Sequence, residues 1–348
     1  MGRLPRGREG EAMVEALPLV WFLLLDLSLL AFLLLDGADL GIGILAIRPT
    51  SEEQRSIMLA AIGPLWYANE TWLVIAGAIL FGAFPRAYGL ALSALYVPAM
   101  MLIFGLILRA VSIEFRPHAK ARRFWGAVFA GGSLLAVAGQ GFMLGGVLSG
   151  VRVQGELFAG GPWDWLNPLS AVVATGTVLG YAMLGGAYLL RRYEGPFLAG
   201  YGRRLRIAAI AALAVFVLSL PLLSLVRTSV SGLWLRPQNL VVVAVLLAGA
   251  LLGFVMVLRC AARPTKGRNA YPWAVLVFVC VAAAVLAGVF PYIIPPSLSI
   301  AAAAASTVTL RFMLIGVAIV LPLIVVYSLY VRRVFRSRVT GPNRNGEY

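Results

Sequence analysis

Charge is what this sequence has least of. Asp, Glu, Lys and Arg make up 12% of its 348 residues, about half of the roughly 25% that a soluble domain carries. That shortage excludes a water-facing globular domain. Histidine occurs once, as His118 in a basic segment, so the histidine ligands on which membrane haem and copper centres usually depend are missing. Two cysteines, Cys260 and Cys280, stand apart in or beside apolar segments; they support neither a disulfide framework nor a thiolate metal site. No methionine has a partner that would complete a bis-axial pair. There is no P-loop, no G-x-G-x-x-G and no Cys-x-x-Cys. These absences predict a chain with no metal or redox cofactor of its own. The net charge of +15 would suit a nucleic-acid binder, but the basic residues form short clusters between apolar runs, as in the cytoplasmic loops of membrane proteins. No nucleic-acid partner is expected.

What the sequence has in abundance is apolar residues, 61% of the total. A helix needs about 20 of them to cross the hydrocarbon core. Nine runs qualify, at 17–46, 57–84, 87–110, 124–149, 168–191, 204–226, 238–259, 272–294 and 311–333. Alternating barrel-type polarity is absent, so the expected fold is an all-α integral membrane protein. The loops after the first, third, fifth and seventh runs, with the C-terminal tail, hold 21 of the 29 Lys and Arg residues. The opposite side holds Arg86, Arg152, Arg227, Arg236 and Arg311. The positive-inside rule then puts the C-terminus in the cytoplasm and the N-terminus outside. Arg3, Arg6 and Arg8 resist that placement. Met13 opens "MVEALPLVWF", so residues 1–12 read as an upstream-start extension or a disordered tail. They do not form a signal peptide, because the apolar run that follows is too long and contains Asp26.

The informative residues are polar ones inside the runs. An Asp at a helix centre costs about 2.5–3.5 kcal/mol on insertion scales, yet "LLAFLLLDGADLGIGIL" carries Asp36 and Asp39. Three positions apart, they share one face. Gly37 and Gly41 form a G-x-x-x-G spacing that lets a neighbouring helix approach closely. A solvated helix end would account for the same aspartates equally well. The second run opens on "LWYANETWL", with Trp66, Tyr67, Asn69 and Glu70. Interfacial anchoring explains the tryptophans but not Asn69 or Glu70, and Glu70 must be protonated or paired across helices. A third group, Arg109, Glu114 and Arg116 in "LRAVSIEFR", reads most simply as a solvated loop. All three groups fall on the side predicted to be cytoplasmic, where clustered acids suit inward proton conduction.

At these residues the sequence resembles subunit II of cytochrome bd-type quinol oxidases. "DGADLGIG" resembles that family's D-G-x-D-x-G-x-G, and "IGPLWYANETWLVIAGAILFGAFPRAY" and "LRAVSIEFR" resemble its second- and third-helix signatures. "GQGFMLG", "FAGGPWDWLNPLS", "GYAMLGGAYLL", "FPYIIPPSLSI" and "RFMLIGVAIVLPLIVVYSLY" follow in order. The match runs from about Leu17 to Val334, and "ANETWL", "FAGGPWDWL" and "FPYIIPPS" resemble the cyanide-insensitive branch most.

The resemblance implies nine transmembrane helices: a four-helix bundle over 17–149, a pseudo-twofold-related bundle over 150–294 and a peripheral ninth helix in 295–334. Residues 1–16 would be an N-terminal extension and 335–348 a cytoplasmic basic tail. It implies a haem-free subunit of an oxidoreductase in the bacterial inner membrane, with no complete active site of its own. Haems b and d and the quinol site would belong to a larger subunit I, with room for a small single-helix subunit and for lipid or quinone. The complex would reduce dioxygen to water with cytoplasmic protons. Asp36, Asp39, Glu70 and Glu114 become candidate proton-path groups, and Trp66, Tyr67, Asn69, Arg109 and Gln140 supporting ones. One position departs from the family: where an aspartate usually follows the tryptophan, this chain has Tyr67. A phenol with a pKa near 10 is no carboxylate relay, although its hydroxyl can pass a hydrogen-bonded proton. Nine Gly- and Pro-interrupted helices with intramembrane acids would also suit a stand-alone secondary transporter.

Overall fold

The computed structural model describes residues 6–49, 51–63, 65–193, 200–225, 231–234, 236–263 and 267–334. The basic tail at 335–348, residues 1–5 of the N-terminal extension and Arg227 lie outside the described residues. Thirteen α-helices, one 3-10 helix (Gly267–Asn269) and two short hairpins are present among the described residues. The helices are α1 (Arg6–Leu45), α2 (Glu52–Ile62), α3 (Leu65–Ala83), α4 (Pro85–Ala94), α5 (Tyr96–Phe115) and α6 (Arg122–Leu148), then α7 (Pro168–Arg192), α8 (Tyr201–Leu225), α9 (Ser231–Trp234), α10 (Pro237–Ala261), α11 (Ala270–Val289), α12 (Ile300–Ala303) and α13 (Thr307–Val334). The hairpins pair β1 (Val153–Gln154) with β2 (Leu157–Phe158) and β3 (Tyr292–Ile294) with β4 (Leu298–Ser299).

Among the described residues, 7 helices are long and apolar enough to span a membrane. They are the stretch Ala16–Leu45 of α1, then α5, α6, α7, Asn239–Ala261 of α10, Gly267–Val289 and α13. The pair α3 and α4, bent by 116°, makes up to 8 if counted as one broken span. α8, 25 residues long, stands outside that count.

Two of the apolar runs are divided. The run at 57–84 begins inside α2, which is a separate, partly polar helix. Ser51 caps α2 by accepting from the Gln54 backbone, Glu52 and Glu53 complement its N-terminal dipole, and Gly63 at φ +52° ends it. The run at 87–110 divides into α4 and α5, with Leu95 between them. Pro85 sets the sharp bend. Proline fits the first turn of α4, but it drives the preceding residue out of the helical region, and Phe84 sits at φ −133°.

α1 lies at the centre, packed against α3, α6 and α7. Its crossing with α7 is backbone on backbone. A Cβ on Gly41 would collide with the Tyr181 carbonyl, and one on Gly185 with the Gly41 backbone. One turn earlier, a Cβ on Gly37 would lie 2.8 Å from Tyr181 Cε1. The G-x-x-x-G spacing thus serves this close approach. α13 is the opposite kind of helix. Its buried residues are Leu310, Ser328 and Val331, and polar contacts hold both ends. Trp21 Nε1 donates to the Leu310 carbonyl at 3.2 Å, just after Ala305 N meets the Ala83 carbonyl at 2.8 Å. At the far end, Arg332 reaches α3.

Candidate functional site

α1, α5, α7 and α13 end, and α3 begins, at one end of the bundle. There the structure assembles a buried charged cluster. Asp36 lies nine residues before the end of α1, roughly 13 Å along its axis, and is 0% exposed; Asp39 is 2% exposed. The solvated-helix-end reading of these aspartates therefore fails. Arg109 corrects a second expectation. It is not a loop residue but lies inside α5 at 0% exposure. The reason is charge. Arg109 Nη1 donates to Asp36 Oδ1 at 2.6 Å and Nη2 reaches Glu70 Oε2 at 3.5 Å. Its guanidinium carbon lies 5.9 Å from the Trp66 ring centroid, within cation–π range.

Asp39 is held by a different partner. Asn69 Nδ2 donates to Asp39 Oδ2 at 2.8 Å and to the Leu35 carbonyl at 3.3 Å. Trp66, Asn69 and Glu70 fall on the side of α3 that meets α1 and α5, as their i,i+3 and i,i+4 spacing allows. Glu70 is paired across helices, with its side chain 27% exposed. Among the described residues, two buried atoms of the cluster have no hydrogen-bond partner: Asp36 Oδ2 and Arg109 Nε. Buried polar atoms without a partner are uncommon in native structures. Among the described residues no group of three or more His, Cys, Asp or Glu side chains is arranged to hold a metal ion.

The chain is similar to known proteins over almost its whole length. A family model described as cytochrome bd terminal oxidase subunit II matches residues 17–335. The chain belongs to that family. It is 27% identical over 372 aligned residues to cytochrome bd-I ubiquinol oxidase subunit 2 of Escherichia coli (strain K12), covering 94% of this chain and 96% of the relative. It is 34% identical over 172 residues to cytochrome bd ubiquinol oxidase subunit 2 of Bacillus subtilis (strain 168), covering 48% and 47%. A solved bd oxidase from Geobacillus thermodenitrificans shares the fold, with a TM-score of 0.73 at 20% identity, covering 93% of this chain and 100% of that one. Membership in the bd oxidase subunit II family does not favour the stand-alone transporter.

The remaining candidates of this bd oxidase subunit lie outside the central cluster. Tyr67, 54% exposed, donates its hydroxyl to Glu114 Oε1 at 2.9 Å. This pair bridges α3 and α5 on their outer face. Gln140 sits on α6 and accepts from the Tyr181 hydroxyl at 2.7 Å; the Tyr181 ring in turn covers Gly37, beside Asp36. Exposed pairs contribute about 0–1 kcal/mol. Tyr67→Phe is therefore expected to leave the thermal inactivation temperature of the purified complex almost unchanged, and a large drop would show that the pair is buried against a partner.

Two contributors were missed by sequence reasoning. α2 was divided between the loop after the first run and the start of the run at 57–84, although "SEEQ" carries a capping signal; Arg116 Nη2 ties it to α5 through Glu52 Oε1 at 2.6 Å and Ser56 Oγ at 2.9 Å. Arg332 reads in sequence as the basic flank of a last helix. In the structure its Nη2 donates to Asn69 Oδ1 at 3.4 Å.

Proposed function

We propose that this chain is the haem-free subunit II of a bacterial cytochrome bd-type quinol oxidase, scaffolding a haem-bearing subunit I. Its acid cluster takes up protons from the cytoplasm for dioxygen reduction. The relatives named as ubiquinol oxidase subunits support the first part, and the basic clusters in alternate loops support a cytoplasmic C-terminus. Nine spans in two bundles, 17–149 and 150–294, with a peripheral ninth, follow if α3–α4 counts as one span and α8 as another.

One observation carries the proton reading. Three carboxylates, Asp36, Asp39 and Glu70, converge around one fully buried arginine, and Glu70 is the partly exposed member. Intramembrane ionisable groups that pair with one another are characteristic of proton relays. Tyr67 hydrogen-bonds Glu114 at the outer face and does not touch the buried carboxylates by any hydrogen bond, so in this reading Glu70 takes the place of the usual aspartate.

Glu70→Gln and Asp39→Asn keep size and most hydrogen bonding. Each is expected to slow oxygen consumption by about tenfold, or about 1.4 kcal/mol on the barrier, while the complex still assembles with a normal haem spectrum. Undiminished turnover in both variants would leave only the scaffolding role.

A further inference from the structure

Asn69 is oriented by charge on both sides. Its Nδ2 faces Asp39 Oδ2 at 2.8 Å and its Oδ1 faces Arg332 Nη2 at 3.4 Å. The reversed amide would set a donor against the guanidinium and an acceptor against the carboxylate, so only this orientation satisfies both partners. Asn69 is thus a fixed dipole linking the Arg332 cation to Asp39. The other groups facing this end are Asp36 on α1, Glu70 on α3, Arg109 on α5, and Arg191 and Arg192 on α7. Arg191 lies 5.3 Å over the Tyr271 ring, and Arg192 lies 6.0 Å over Tyr188.

The pairing pattern then sorts the three carboxylates. Asp36 holds Arg109 at 2.6 Å. Asp39 reaches Arg332 through Asn69. Among the described residues, Glu70 has only the 3.5 Å contact to an arginine already engaged. We propose that Arg332 is the second cation of the cluster, a positioning residue that holds Asp39 through Asn69 and leaves Glu70 as the carboxyl that exchanges protons. The part concerning Glu70 rests on the proton-uptake reading above; the part concerning Asp39 does not.

The test uses the assembled complex carrying Arg332→Gln, Arg332→Lys or Arg332→Gln with Asp39→Asn. Haem absorbance checks assembly, and infrared spectroscopy of the resting complex, titrated from neutral to alkaline pH, reads the protonated-carboxyl carbonyl band. Removing a nearby positive charge favours the neutral acid. Arg332→Gln should therefore keep, at alkaline pH, extra intensity equal to about one carboxyl, a gain over the parent. The gain should vanish in the double variant and be absent in Arg332→Lys, which restores the charge. Oxygen consumption should fall severalfold in Arg332→Gln, with a changed pH profile that the lysine variant restores. No change in the band overturns the assignment of Arg332, whatever turnover does. A band gain with unaltered turnover and pH profile upholds the link to Asp39 and overturns Glu70 as the exchanging carboxyl.

Discussion

Replacing Arg109 by methionine is expected to cost the subunit about 3–5 kcal/mol, the usual penalty for stripping one partner from a buried ion pair. Methionine fills much of the same volume, so the loss is electrostatic rather than a cavity. Asp36, 0% exposed, would be left with no counter-ion, and Glu70 would lose the one ion pair it makes among the described residues. The measurement is recovery of the haem-containing complex and its thermal inactivation temperature in detergent. Both should fall sharply. A second variant separates charge from packing: Arg109→Met with Asp36→Leu removes both partners, and buried pairs replaced by apolar residues of similar size are often neutral. Recovery of most of the lost stability in the double variant is expected. An Arg109→Met complex as stable as the parent would show that the pair contributes nothing.

The second large effect is steric. Gly41→Ala adds one methyl group directly against the Tyr181 carbonyl, where backbone meets backbone and no side chain can rotate away. Overpacking commonly costs about 1–3 kcal/mol, and this site should lie at the upper end because only a shift of a whole helix relieves it. Gly77→Ala is the matched control. That glycine lies on an exposed face of α3, with nothing within 4 Å of the added carbon. Poor assembly in Gly41→Ala with normal assembly in Gly77→Ala is the expected pair of outcomes. Equal yields would mean that α1 and α7 separate without cost.

Much of this architecture is legible in the sequence, and the reason is local. Hydrophobic runs locate helices, and Gly37 and Gly41 announce a close crossing because small residues serve little other purpose in a membrane helix. Pro85 was visible as a residue, but an apolar run on either side concealed that it bends the chain by 116°. Arg109 was misplaced because charge near a run's end ordinarily means a loop. Its burial depends on Asp36, 73 positions earlier. Arg332 was harder still: its contact is with Asn69, 263 positions away. Periodicity says which face of a helix a residue occupies; it does not say which helix faces it.

Those separations also set an order in time. The ribosome makes Asp36 and Asp39 well before Arg109, and Gly41 well before Gly185. The helix that ends at the centre of the bundle therefore leaves the insertion machinery with neither its counter-ion nor its closest neighbour yet synthesised. Biogenesis has to hold its two acids near water, or carry them protonated, until α5 arrives. Arg332, completed after all the other described members of the cluster, closes it from outside once the rest of the chain is in place.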